Sequence, residues 1–225
     1  MTNWNAADYA KNSQGQFAWA RSLIDSSPDM IVVARHTWQG AVPNVEFHVV
    51  DAQEIHFGAD FDLAFSNSTL HWVPDHRAVL RGVARALKPG GRLVFSMGGQ
   101  GTAAAVYAAL DTMRRDPRWS SSLSGATSPH YFFGPEQYAE WLPAAGLRPT
   151  RIALVPKPMR HADRAALEGW VRTIWTPYID RISVTDRARF VRELAAQVYE
   201  QCTSDDEGAI LMPMVNLEVE AETPG

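Results

Sequence analysis

Two short apolar runs separated by a helical stripe dominate the hydrophobic pattern. Phe61-Asp62-Leu63-Ala64-Phe65-Ser66 is a near-continuous apolar run, and Leu93-Val94-Phe95-Ser96-Met97 is a second. Between them His76, Val79, Leu80, Val83 and Leu87 recur at helical spacing over 74–87, and Lys88-Pro89-Gly90-Gly91 marks a turn. Apolar strands joined by an amphipathic helix predict a parallel crossover with both sheet faces covered, and parallel strands place a ligand crevice at their carboxyl ends. Ser66, Asn67, His71 and Trp72 stand at that end, and chemistry is expected there.

The rest of the chain extends this alternation. Residues 4–11 and 13–24 carry helical patterns; Asp25-Ser26-Ser27-Pro28 supplies capping residues for a helix running to about His36. Residues 45–50 alternate and are rich in β-branched residues, predicting a strand that ends at Asp51. Gly98-Gly99-Gln100-Gly101 leads into an alanine-rich helix ending near Arg115, and 117–134 reads as a loop broken by His130-Tyr131-Phe132-Phe133. A helix over 135–145 stopped by Gly146, a strand over 151–155 and two amphipathic helices follow, the first lined by Leu167, Val171, Ile174 and Tyr178, the second by Phe190, Leu194 and Val198. A strand over 210–219 closes the chain, with Pro213 arguing for an edge or a bulge. Strands alternating with helices predict a layered α/β fold. Its core is expected over 1–161 and 205–225, with 162–204 as a helical cap.

Composition narrows the function. The 225 residues suffice for one substantial core, and 46% apolar with 20% charged residues is ordinary for a globular protein. A net charge of -4 gives no basic footprint for nucleic acid, and no apolar run reaches the length of a membrane span. Cys202 is the single cysteine, so an internal disulfide is excluded and a cytoplasmic location is expected. The seven histidines show no paired ligand spacing for zinc, and no G-x-S-x-G elbow occurs. Arg114, Arg115, Arg148, Arg151, Arg160 and Arg172 are candidates for holding a carboxylate substrate.

Val49-Val50-Asp51-Ala52, the run from Phe61 to Trp72, and Leu87-Lys88-Pro89-Gly90-Gly91-Arg92-Leu93-Val94 together resemble the class I S-adenosylmethionine-dependent methyltransferases, in particular the trans-aconitate methyltransferase-like group. Ser27-Pro28-Asp29-Met30, Tyr131-Phe132-Phe133 and Leu142-Pro143-Ala144-Ala145-Gly146 fit the same pattern in order. The resemblance implies a Rossmann-like sheet, S-adenosylmethionine as cofactor and a small-molecule methyl acceptor, with a carboxylate oxygen as the expected target. It implies that Asp25 binds the ribose hydroxyls, with Ser26 beside it, and that Met30 packs near the adenine. Asp51 and Ala52 would read the adenine edge and Ser66 and Asn67 floor the methionine end. Leu70, His71 and Trp72 would face the transferred methyl, the last two positioning the substrate. Asp25 and Asp51 are equally explained as caps of the turns that follow them.

The family pattern opens with a strand, a glycine-rich loop of the form E/D-x-G-x-G-x-G, a helix and a second strand. Here Leu23-Ile24 runs directly into Asp25, so a unit of roughly 30 residues has no counterpart. That loop normally lets backbone approach the cofactor and offers amide hydrogens to its charged end. An internal deletion is the favoured explanation of the join, beside a functional protein that binds the cofactor differently and a sequence that omits residues; a deletion leaves an inactive or non-catalytic protein as the alternative function. A second alternative comes from Gly99-Gln100-Gly101-Thr102-Ala103-Ala104, which matches the G-x-G-x-x-A dinucleotide fingerprint of oxidoreductases but is not followed by the acidic strand end such a site needs.

Overall fold

The computed structural model describes residues 22–38, 40 and 44–225. The expected helix over 4–11 and residues 13–21 of the next one lie outside these. Strand β1 (Ser22–Asp25) leads into helix α1 (Pro28–Trp38), and β2 (Glu46–Val49) pairs with β1 in parallel, Asp25 opposite Val49. A strand therefore runs into Asp25 where a helix was expected through Ile24.

The predicted crossover forms as β3 (Phe61–Asn67), α2 (His76–Ala86) and β4 (Leu87–Gly98), with β3 and β4 parallel. Asp75 caps α2 by accepting the Ala78 N–H at 2.9 Å, and Val79, Leu80 and Val83 bury its apolar stripe. Leu93, Phe95 and Met97 alternate inward along β4 onto the same core. The turn expected at 88–91 is absorbed into β4, with Gly90 at φ 72° taking the bend and the register slipping between Phe61 and Leu63. On the opposite sheet face Leu63 and Phe65 remain 53% and 44% exposed, so this face is covered less than a parallel sheet normally is.

Helices α3 (Ala104–Arg115), α4 (Ser120–Leu123) and α5 (Pro135–Ala144) follow, α4 lying within the segment expected to be loop. Strand β5 (Arg148–Pro156) enters the main sheet; β6 (Met159–His161), α6 (Arg164–Ile174), α7 (Thr176–Ile179) and α8 (Arg187–Tyr199) come next. Tyr178 was expected on the same helix as Leu167, but the helix stops at Trp175 and restarts with Pro177 in its first turn, because proline cannot donate the N–H that would continue it. The final strand divides for the same reason at Pro213. Strands β7 (Thr203–Ser204) and β8 (Ile210–Met212) form a small antiparallel sheet with β6, and β9 (Val215–Glu222) joins the main sheet in the order β3-β4-β9-β5, antiparallel to both neighbours. The β1–β2 pair makes a sheet of its own.

Two apolar cores result. One lies between the main sheet and α2 and α5, holding Leu80, Leu93, Phe95, Tyr138, Leu142 and Val219. The other is helical, with Val106, Leu110 and Met113 of α3 against Leu167, Val171, Phe190, Leu194 and Val198. Each fully buried aliphatic side chain contributes about 1.5–3 kcal/mol. The 162–204 segment thus shares its core with α3, and the chain passes from β4 in the first core to α3 in the second. No helix among the described residues is long and apolar enough to cross a membrane.

Candidate functional site

Asp25 and Asp51 stand at the carboxyl ends of adjacent parallel strands. The Asp25 Oδ1 accepts the Ser27 N–H at 2.7 Å, and the Val50 N–H donates to the Asp25 carbonyl at 3.0 Å, tying the two strand ends together. Ser27 is the residue that caps α1: its Oγ accepts the Met30 N–H at 3.3 Å and its carbonyl takes the first helical bond, from Ile31. Asp25 closes the turn before the cap. Asp51 is placed likewise; its Oδ1 accepts from the Gln53 N–H at 2.8 Å, over the short helical turn Ala52–Glu54. Ser26 and Met30 are exposed, and Ala52 is half-buried.

Ser66 and Asn67 are half-buried at the end of β3, on the other sheet. The chain then turns sharply through Ser68, whose φ of 55° is left-handed and costs of order 1–2 kcal/mol for a residue with a Cβ. Its N–H donates to the Ser96 carbonyl at 2.8 Å, which holds the turn against β4. Leu70 points into the core beneath, while its carbonyl accepts from His76 Nε2 at 2.7 Å. His76, 2% exposed and bonded through Nδ1 to the Tyr138 hydroxyl at 2.7 Å, is a structural histidine.

His71 and Trp72 open into an aromatic nest. The His71 Nδ1 accepts the Gly98 N–H at 3.3 Å, and the His71 carbonyl accepts from Tyr131 at 2.8 Å. Trp72 leans on His130 at 4.2 Å between ring centroids; His130 stacks on Phe132 at 5.2 Å and 10°, and Trp175 meets it edge-on at 5.3 Å. The His71 and His130 rings are 5.9 Å apart. Burial lowers both to a pKa of about 4, helped by the His76 imidazole for His71 and by the His71 imidazole for His130, so both are neutral near pH 7. Burial raises the Tyr107 hydroxyl to about 12.

Only part of this nest was visible in the sequence. The 130–133 run splits between cores, His130 and Phe132 entering the nest while Phe133 packs on His76 and Trp141. Tyr107, arriving from the alanine-rich α3, was missed, and its one signal was a lone bulky residue at helical spacing from Leu110. Trp175 is buried with Tyr107 and Tyr178, whereas Trp170 is half-buried against it. Five of the six candidate arginines are engaged by the chain's own carboxylates: Arg114 by Asp111, Arg148 by Glu222, Arg151 by Glu218, Arg160 by Asp205 and Glu207, and Arg172 by Glu168. No cluster of metal ligands occurs among the described residues.

The glycines after β4 have a packing role. A Cβ on Gly99 would sit 2.8 Å from the Leu217 backbone nitrogen and 2.7 Å from the Leu154 side chain, and one on Gly98 would sit 2.9 Å from Phe132. Close approach of β9 explains this glycine run without a dinucleotide phosphate.

The family described as "Methyltransferase domain" matches residues 9–95, which span β1 through most of β4. Trans-aconitate 2-methyltransferase of Methylobacterium nodulans is 26% identical over 201 residues, covering 86% of this chain and 74% of that protein. Malonyl-[acyl-carrier protein] O-methyltransferase 1 of Ilyobacter polytropus is 31% identical over 101 residues, covering 45% of this chain and 37% of that protein. Among solved structures, a loganic acid methyltransferase with SAH superposes at a TM-score of 0.69 with 14% identity, over 91% of this chain and 73% of that one. The matched segment contains the strand ends that carry Asp25, Asp51, Ser66 and Asn67, and the chain is similar to the class I S-adenosylmethionine-dependent methyltransferases, in particular to their trans-aconitate 2-methyltransferase group.

Proposed function

We propose that this protein methylates a carboxylate oxygen of a small molecule. The observation that carries the reading is the pair of acidic residues at neighbouring strand ends, Asp25 opposite Val49 in the parallel β1–β2 register and Asp51 two residues beyond. Carboxylates suit ribose hydroxyls and an adenine amino group, because they accept hydrogen bonds only. Asp25, Ser26, Met30, Asp51 and Ala52 would hold the adenosyl end, with Ser66 and Asn67 toward the methionine end. Relatives named for trans-aconitate and malonyl-carrier substrates favour a carboxylate acceptor. When bound, the cofactor supplies an electrophilic methyl; a carboxylate already carries the attacking lone pair, so the chain's task is to align the acceptor and exclude water, which Trp72 and the aromatic nest suit.

The glycine-rich loop has no counterpart in the sequence, and β1–β2 stands apart from β3–β4. That observation favours a second reading, a protein that retains the fold without turnover. Calorimetric titration with S-adenosylhomocysteine separates the two. A micromolar dissociation constant followed by methyl transfer to small carboxylic acids supports the first; binding without transfer supports the second, and no heat at millimolar ligand overturns the cofactor site.

A further inference from the structure

The two histidines of the nest are held in opposite tautomers. The backbone N–H of Gly98 can only donate, so the His71 Nδ1 it meets at 3.3 Å is an acceptor and the ring proton lies on Nε2. Around His130 three contacts share their hydrogens. The Ser128 hydroxyl donates to the His130 carbonyl at 3.0 Å, because a carbonyl can only accept. Its oxygen is then the acceptor for the Tyr107 hydroxyl at 2.6 Å, as it is for the His130 N–H at 3.1 Å. With the Tyr107 hydrogen used, the 2.8 Å contact between Tyr107 and His130 Nδ1 requires the proton on Nδ1. The His130 Nε2 is left as a bare lone pair. No hydrogen bond reaches either Nε2 among the described residues, and the two rings lie 5.9 Å apart.

We propose that His71 and His130 form a donor–acceptor pair that selects a methyl acceptor bearing a hydroxyl next to its carboxylate. The carboxylate accepts from His71 Nε2, and the hydroxyl donates to His130 Nε2. A bare carboxylate would set its oxygens against the His130 lone pair, and a lone hydroxyl would leave the pair half satisfied. Tyr107 and Ser128 are positioning residues, acting only by fixing which nitrogen of His130 carries the proton. Both rings stay neutral at physiological pH because they are buried together. The groups around them are Tyr107, Ser128, Trp72, Phe132 and Trp175, with His76 acting on His71 and itself lowered by burial, none of them charged there.

This inference rests on the methyl-transfer reading for its ligand but not for its first test. Nitrogen-15 NMR of the protein alone at pH 7 should show the proton on Nδ1 of His130 and on Nε2 of His71; a proton on Nε2 of His130 overturns the proposal. Calorimetry with matched acids, malate against succinate and citrate against tricarballylate, then reads selection, with and without S-adenosylhomocysteine. The hydroxy acids should bind at least tenfold more tightly, since a site built around a hydroxyl rejects the analogue lacking it. His130→Phe should abolish that preference. Tyr107→Phe, which keeps the ring contacts and removes the acceptor for Nδ1–H, should move the proton toward Nε2 and cut the preference several-fold, and it serves alone should His130→Phe not fold. Equal binding of the paired acids with S-adenosylhomocysteine bound overturns the selection. A retained preference with no S-adenosylhomocysteine binding overturns the methyl-transfer reading and leaves the selection standing.

Discussion

Acidification should weaken this fold through the same two histidines. His71 and His130 titrate at about 4 in the folded protein, against 6.5 for an unburied imidazole. Well above pH 6.5 both states hold the rings neutral, and stability is flat with respect to them. Below it the unfolded chain takes up protons that the folded chain refuses, so stability falls as the pH drops toward 4. For one such ring the loss between pH 7 and pH 5 is about 2 kcal/mol. The two sites repel each other's protons and His71 is only half-buried, so the pair is worth about 2–4 kcal/mol, not a strict doubling. The assay is urea unfolding followed by far-UV circular dichroism at both pH values, for the wild type and a His71→Gln/His130→Gln double variant. The variant retains His76 and His161, which are also lowered, so the contribution of His161 cancels and that of His76 cancels except for its coupling to His71. At an m-value of about 2–3 kcal/mol/M the wild-type midpoint should drop about 1 M further than the variant's. Equal drops in the two proteins would mean that these rings are hydrated in solution, and the reasoning about the nest would fail.

Three substitutions test the packing that positions the site. Gly99→Ala places a methyl within 2.8 Å of the Leu217 backbone and should destabilise by about 1–3 kcal/mol; an unchanged urea midpoint would show that β9 does not approach there. Tyr138→Phe leaves His76 Nδ1 without its 2.7 Å partner in a buried setting, so a loss of about 1–3 kcal/mol is expected, read from the thermal midpoint. Leu194→Ala, at a fully buried position of α8, should cost about 2–5 kcal/mol, and a loss below 1 kcal/mol would indicate a loosely packed helical core.

The crossover from Phe61 to Met97 could be read from the sequence because three independent signals agree there: two apolar runs, a stripe at helical spacing and a Pro-Gly-Gly turn. The acidic strand ends could be read because Asp25 and Asp51 each precede turn residues, although that same fact also explains them as caps. Strand Ser22–Asp25 was not readable. Four half-buried residues give no alternation, and their strand character depends on pairing with Glu46–Val49, a long-range contact invisible to local pattern. The breaks at Trp175 and Pro213 follow from proline's missing N–H, and only the second was weighed in advance. The nest was half visible, since His130 sits in an evident aromatic run. Its tautomer depends on Tyr107, 23 residues away on a helix whose sequence suggests only alanine packing.

The two explanations of Asp25 can be separated by one atom. Its Oδ1 closes a turn by accepting the Ser27 N–H at 2.7 Å, and an asparagine Oδ1 does the same. Asp25→Asn should therefore keep α1 capped by Ser27 and change stability by less than about 0.5 kcal/mol. Ribose hydroxyls are a different matter, because both must donate, and asparagine offers one acceptor and one NH2 where aspartate offers two charged oxygens. Hydrogen bonds to a charged group contribute about 1.5–3 kcal/mol against about 1 kcal/mol for neutral ones, so losing the charge should weaken S-adenosylhomocysteine binding about tenfold or more. Asp25→Ala, by contrast, should lower both stability and affinity. Calorimetry and urea unfolding on the three proteins decide the matter: an Asp25→Asn protein that binds S-adenosylhomocysteine as tightly as the wild type would reduce Asp25 to a turn residue, and the adenosyl site would have to lie elsewhere along the strand ends.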